Sequence, residues 1–281
     1  MDNTFKPDNK LNIGSILVSG ARLKPTDIEK VLKFQQQNNV RFGEAAKALN
    51  LIAEFDIEWA LAIQFGYPLL SPNDDSLDKS LVMAYQPHGP DAEPFRNLRE
   101  HLDLHWFTEN KSLMVVGQTA QDASVYTAGN LAIAFAQLGK SVLLIDADFF
   151  NAQLHSLFKI GNQFGLSDLI AGRSEVTVLK QIDSIGNLFL LTSGAKPPNT
   201  AELISRGLKK VVETLAQRFD IIIVSASPNE AGIEAKLTAK AVGGAIFVLE
   251  KHETRLNDIR NMKDNFLEVG CECLGVLLSD E

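Results

Sequence analysis

The stretch that decides the fold runs from Gly117 to Asp148, GQTAQDASVYTAGNLAIAFAQLGKSVLLIDAD. It continues SLMVVG (112–117), a continuous apolar run that reads as a buried strand. Residues from about 124 to 138 read as a helix, ended by Gly139. SVLLIDAD (141–148) is a second apolar strand, and it closes on two acids, Asp146 and Asp148. Strand, loop, helix and return strand make a unit that joins parallel strands.

The same alternation continues downstream. NLFLLTS (187–193), FDIIIVSAS (219–227), AIFVLE (245–250) and CLGVLLS (273–279) read as strands. Helices are expected over about 200–217, 231–241 and 255–269. Apolar strands with no polar face imply burial on both sides. The predicted class is therefore α/β, a mostly parallel sheet covered by helices on both faces. In such sheets ligands bind at the carboxyl ends of the strands, which is where Gly117 and Asp146 fall.

A working phosphate loop between strand and helix reads G-x-x-x-x-G-K-[ST]. Its glycines let backbone N–H groups wrap the phosphates, its Lys neutralises them and its Ser or Thr holds magnesium. The segment after Gly117 has the strand and the helix but no Lys.

Composition narrows the rest. The chain has 281 residues, 45% hydrophobic and 22% charged, with a net charge of -8. That balance argues against general nucleic-acid binding and against a polybasic membrane anchor. MDNTFKPDNK at the start has no apolar core, so no signal peptide is expected. No apolar run reaches the roughly 18 residues of a membrane span. The two cysteines, Cys271 and Cys273, are one residue apart, which suits a reducing cytoplasm rather than a disulfide framework. Three domains of organisation are expected: a small helical unit over 1–70, a Pro-, Asp- and Ser-rich linker over 71–92, and the α/β domain over 93–281.

Several segments carry a family resemblance. They are EPFRNLR (93–99), TAGNLAIAFAQLGKSVLLIDAD (127–148), GLSDLIAG (165–172), SGAKPPNTAEL (193–203) and FDIIIV (219–224). In this order they resemble the bacterial tyrosine kinases that accompany chain-length determinants in exopolysaccharide synthesis, the EpsG and CpsD/CapB group. Those kinases lie within the deviant P-loop NTPase class that includes ParA and MinD. The resemblance covers about two thirds of the chain and implies that fold, ATP and magnesium as cofactors, and an oligomer. EPFRNLR is similar to the family's E-x-x-R-x-x-R subunit-contact motif, which assigns Glu93, Arg96 and Arg99 to an oligomer contact. The implied partners are a chain-length-determinant membrane protein or an active kinase paralogue, and the implied location is cytoplasmic, peripheral to the inner membrane through that partner.

The departures fall on the chemistry. Anchored on Asn130, the family's G-E-G-K-S-T loop lands on Gln121, Asp122, Ala123, Ser124, Val125 and Tyr126. The candidate phosphate-loop positions are then Gly117, Asp122, Ser124, Val125 and Thr127, with Ser124 in place of the Lys and Val125 in place of the magnesium hydroxyl. The family's D-T-P-P acid strand end is Ser225, Ala226, Ser227 and Pro228 here. Phe149, Phe150 and Asn151 stand where the family has basic residues. Asp146 and Asp148 are the residual acids, free to act as loop caps. Removing one partner of a buried charge contact costs roughly 3–5 kcal/mol, and each 1.4 kcal/mol is about tenfold in affinity. Losing the Lys alone therefore weakens triphosphate binding by about two orders or more. Lys111 and Lys140 are expected at the wrong end of the sheet to replace it. The family's C-terminal tyrosine cluster is expected to be missing, since the three tyrosines are Tyr67, Tyr85 and Tyr126.

The first unit carries a repeat with a period of 29 residues. Gly14 aligns with Gly43, Ile28 with Ile57, Leu32 with Leu61 and Gln35 with Gln64. Two helical hairpins packed on each other are expected. The pattern is similar to the N-terminal domain of type II secretion and pilus ATPases of the MshE kind, which binds cyclic di-GMP. That resemblance marks Gly14, Gln35, Arg41, Gly43 and Gln64 as candidate cyclic di-GMP positions. The first motif Arg is Asn12 here, and the later motif glycines are Ala21 and Asn50. Three readings stay open from sequence: a catalytically inactive regulatory or scaffolding relative of the kinases, an active tyrosine autokinase or ATPase, and a cyclic di-GMP-responsive regulator.

Overall fold

The structure, a computed structural model, describes residues 12–65, 67–119, 123–228, 232–251 and 254–279. The chain divides into two compact units, Met1–Ser71 and Pro72–Glu281.

The first unit is made of α1 (Ile13–Ser19), α2 (Ile28–Asn38), α3 (Phe42–Ala48) and α4 (Glu54–Gln64). Its core is Ile16, Leu17, Leu23, Val31, Ala45, Ala46, Ile52 and Ala60. The repeat is visible in the backbone. Ala21 and Asn50 both take left-handed φ, 55° and 54°. Their N–H groups bond Val18 and Lys47 carbonyls at 3.0 and 2.8 Å. The turn that a glycine would make survives without one. Asn tolerates this region, whereas Ala sits there at a cost of roughly 1–2 kcal/mol. Ala21→Gly is therefore expected to stabilise this unit by up to about 1 kcal/mol after the entropic cost of Gly, read as a raised denaturation midpoint. Val31 and Ala60 are buried, whereas Leu32 and Leu61 stay 44% and 39% exposed.

The second unit carries a seven-stranded sheet: β1 (Ser112–Gly117), β2 (Val142–Ala147), β3 (Lys180–Gln181), β4 (Leu188–Leu191), β5 (Ile221–Ala226), β6 (Gly244–Glu250) and β7 (Glu272–Ser279). The order is β3-β4-β2-β5-β1-β6-β7. All pairs are parallel except β3 with β4. The helices are α5 (Val82–Tyr85), α6 (Glu93–His105), α7 (Ser124–Gln137), α8 (Leu154–Leu157), α9 (Leu166–Ile170), α10 (Thr200–Leu215), α11 (Ile233–Val242) and α12 (Leu256–Leu267). The crossover through α7 runs from β1 toward β2, and that through α11 runs the opposite way, from β5 to β6. Right-handed crossovers then place the two helices on opposite faces. No helix among the described residues is long and apolar enough to cross a membrane.

The segment expected to be a linker is part of this second unit. Leu77, Leu81, Met83, Ala84 and Tyr85 are buried. Asn130 on α7 accepts the Met83 N–H at 3.0 Å and donates to the Ser80 carbonyl at 3.0 Å. Gln137, two turns further along α7, donates to the Met83 carbonyl at 2.8 Å. A side chain at Gly129 would meet Leu81 Cδ2 at 2.7 Å, so the glycine lets the strap lie close on α7. Buried polar groups on the helix satisfy the backbone of the strap, which is why a segment without helical or strand periodicity is ordered. The boundary of the α/β unit therefore moves from residue 93 to residue 72.

Candidate functional site

Three elements converge where a phosphate site was expected. β1 ends at Gly117, α7 begins at Ser124, and Asp146 near the end of β2 pairs in register with Ser225 on β5. Asp122 and Gln121 lie outside the described residues. Ser124, Val125, Asp146, Asp148, Asn151 and Ser225 line a cavity of about 20 Å³. That is room for about one water. Gly117 and Thr127 are buried and do not line the cavity, and none of the described lining residues is Lys, Arg or His.

Both residual acids are engaged by the chain that follows them. Asp146 accepts the Asp148 N–H at 3.1 Å and the Leu154 N–H at 3.3 Å. Asp148 accepts the Phe150 and Asn151 N–H groups at 2.9 and 3.0 Å and the Ser227 hydroxyl at 3.0 Å. This is an Asx-type clasp that turns the chain after β2 and ties it to the end of β5. Burial pushes the Asp146 carboxyl up to about 7, helped by the neighbouring Asp148 charge and opposed by its backbone hydrogen bonds. Ser227, which sequence reading passed over as a lost family residue, is the partner of Asp148.

The cations are elsewhere. Lys111 donates to the Ala216 and Phe219 carbonyls at 2.9 and 3.2 Å. Lys140 pairs with Asp103 at 3.5 Å. Both belong to the amino end of the sheet. Lys196, not considered from sequence, lies 4.4 Å over the Phe150 ring, in the loop after Asp148. It does not line the cavity. Magnesium-ATP does not fit this donor set. Two acids without a facing cation among the described lining residues disfavour a triphosphate, and both acids already accept N–H or O–H donors of the chain. No group of three or more His, Cys, Asp or Glu among the described residues could hold a metal.

The supporting loops keep their packing. Leu166 and Ser167 N–H groups bond the Thr192 and Ser193 carbonyls at 2.7 and 3.0 Å, so GLSDLIAG and SGAKPPNTAEL form one clasp. Thr200 donates to the buried Glu234 at 2.7 Å, joining α10 to α11.

The proposed contact motif lies on α6, but its three residues differ in environment. Glu93 is exposed, Arg96 is half-buried and Arg99 is buried. Arg96 donates to the Pro87 and Gly89 carbonyls, and Arg99 pairs with Glu100. The motif does not present one exposed charged face, because both guanidinium groups turn back on their own unit. In the first unit, Gly14 and Gly43 are buried, and side chains there would meet the Phe42 ring at 3.1 Å and Ile57 at 3.2 Å. Helix packing accounts for both glycines. Arg41 is exposed, and Gln35 and Gln64 are half-buried.

No protein-family model matches the chain. Over 205 residues it is 27% identical to the tyrosine-protein kinase YwqD of Bacillus subtilis (strain 168), covering 72% of this chain and 86% of that protein. Over 190 residues it is 29% identical to the tyrosine-protein kinase etk of Escherichia coli (strain K12), covering 67% of this chain. The solved kinase domain of the Escherichia coli enzyme superposes with a TM-score of 0.67 at 28% identity, covering 71% of this chain and 79% of that one. The chain is similar to these bacterial tyrosine-protein kinases in sequence and to the etk kinase domain in fold. The chain spans 26% of the length of etk.

Proposed function

We propose that this chain is a kinase-like subunit without phosphoryl-transfer activity, acting as a regulatory or scaffolding partner in exopolysaccharide synthesis or export. The observation that carries the reading is the cavity at the end of β1, β2 and β5. Among the described residues it holds two carboxylates and no cation, and both carboxylates serve as clasps for the 148–154 loop. Phosphoryl transfer rests on positioning and charge neutralisation, and the described lining residues include no cation to neutralise a phosphate. What the unit retains is the rigid frame. The partner in this reading is a chain-length-determinant membrane protein or an active kinase paralogue, reached through the α6 end that exposes Glu93.

Charge reversal tests this. Glu93→Arg is expected to leave the unfolding free energy within the range of ordinary surface changes, about ±0.5 kcal/mol. Co-purification with the partner is expected to be lost. Phosphotyrosine formation by the purified wild-type chain with magnesium-ATP, or unchanged assembly of the Glu93→Arg variant, contradicts the reading.

A further inference from the structure

We propose that the exposed face of α6 binds a late first-row divalent ion through His101 and His105. The two residues are four apart, so they stand one turn above each other on the same side of the helix. Their ring centroids are 4.7 Å apart with an interplanar angle of 50°. Two imidazoles in this relation form the helical chelate in which one ion bridges positions i and i+4. Each nitrogen then needs to approach the ion to roughly 2.0–2.1 Å, which rotation about the exposed side-chain torsions allows.

The helix holds the pair in place. An adjoining side of the helix is anchored by buried Leu102 and by Trp106 at its C-cap, whose indole donates to the Ser112 carbonyl at 2.9 Å and fills the space beside Gly244. Both histidines are exposed, and neither makes a hydrogen bond or ion pair among the described residues. The acid between them, Asp103, is turned to Lys140. An ion here has two protein ligands, with water in its remaining positions. Imidazole donors select copper, nickel and zinc over magnesium and calcium, with copper bound most tightly. The site shares no residue with the carboxylate cavity, and it stands whether or not that cavity is catalytically silent.

The ion staples the last turn of α6, so binding must stabilise the folded chain by linkage. The test uses the full chain, stripped with chelator, and nickel or zinc alone as probe at submillimolar concentration. Wild type is expected to melt at a higher temperature with the ion than without it, and magnesium is expected to give no shift. His101→Asn and His105→Asn should each fold normally, because both side chains are exposed. By calorimetry each should lose about tenfold or more in nickel affinity, with one of two ligands gone. Absence of nickel binding by wild type overturns the proposal. So does binding that persists unchanged in both variants, which would place the ion elsewhere on the chain.

Discussion

Asp146→Asn is expected to make the protein more stable above pH 7. The folded chain holds this carboxyl at about 7, against an ordinary 3.8. Between those values the folded state keeps a proton that the unfolded state has released. Unfolding free energy therefore falls as pH rises through this window, and the loss is complete above the folded value. The span corresponds to about 4 kcal/mol at most. An amide removes the slope. It keeps one oxygen for the Asp148 or Leu154 N–H and turns an N–H₂ toward the other, at roughly 1–3 kcal/mol. The net gain expected at pH 8 is on the order of 1–2 kcal/mol. Urea unfolding from pH 5 to 8 reads it directly. A wild-type stability that does not fall toward pH 8, or an Asn variant with the same pH slope, would mean that a cation compensates the charge. In an enzyme that needed this acid for magnesium, the same change would abolish function. Here function in the cell is expected to persist.

Leu81→Ala should be among the more damaging single changes to the α/β unit, although it falls in a stretch that reads as a linker. The side chain is fully buried against α7, over Gly129. Truncating a buried Leu costs about 2–5 kcal/mol, from lost transfer energy and the cavity left behind. Denaturant unfolding of the full chain should show the transition of the second unit shifted down. A neutral result would mean that residues 72–92 are a tether rather than a strap.

The sheet was legible because its strands are continuous apolar runs. The central ones, Ser112–Gly117, Val142–Ala147 and Ile221–Ala226, fall inside the stretches read from pattern alone. The two-residue antiparallel β3 is too short to carry a period. The strap was missed for a related reason. Leu77, Leu81, Met83 and Tyr85 fit neither a strand nor a helix, and their burial depends on Asn130 and Gln137 some fifty residues away. At the site, the absence of a Lys from the segment between Gly117 and the α7 helix could be read at once. The clasp role of Asp148 is partly local, since its N–H partners are two and three residues on. Its bond to Ser227 spans 79 residues and has no sequence signal. The environments of Arg96 and Arg99 had no sequence signal: Arg96 reaches the Pro87 and Gly89 carbonyls of the strap, and buried Arg99 pairs with the adjacent Glu100.

The proposed role requires that the cavity between β1, β2 and β5 does not accept a nucleotide. Titration calorimetry of the full chain with magnesium-ATP tests it most directly. At protein concentrations suited to micromolar binding, the expected result is no heat beyond dilution. Saturable micromolar binding would contradict the account, and would mean that a cation such as Lys196 reaches the carboxylates when the triphosphate arrives.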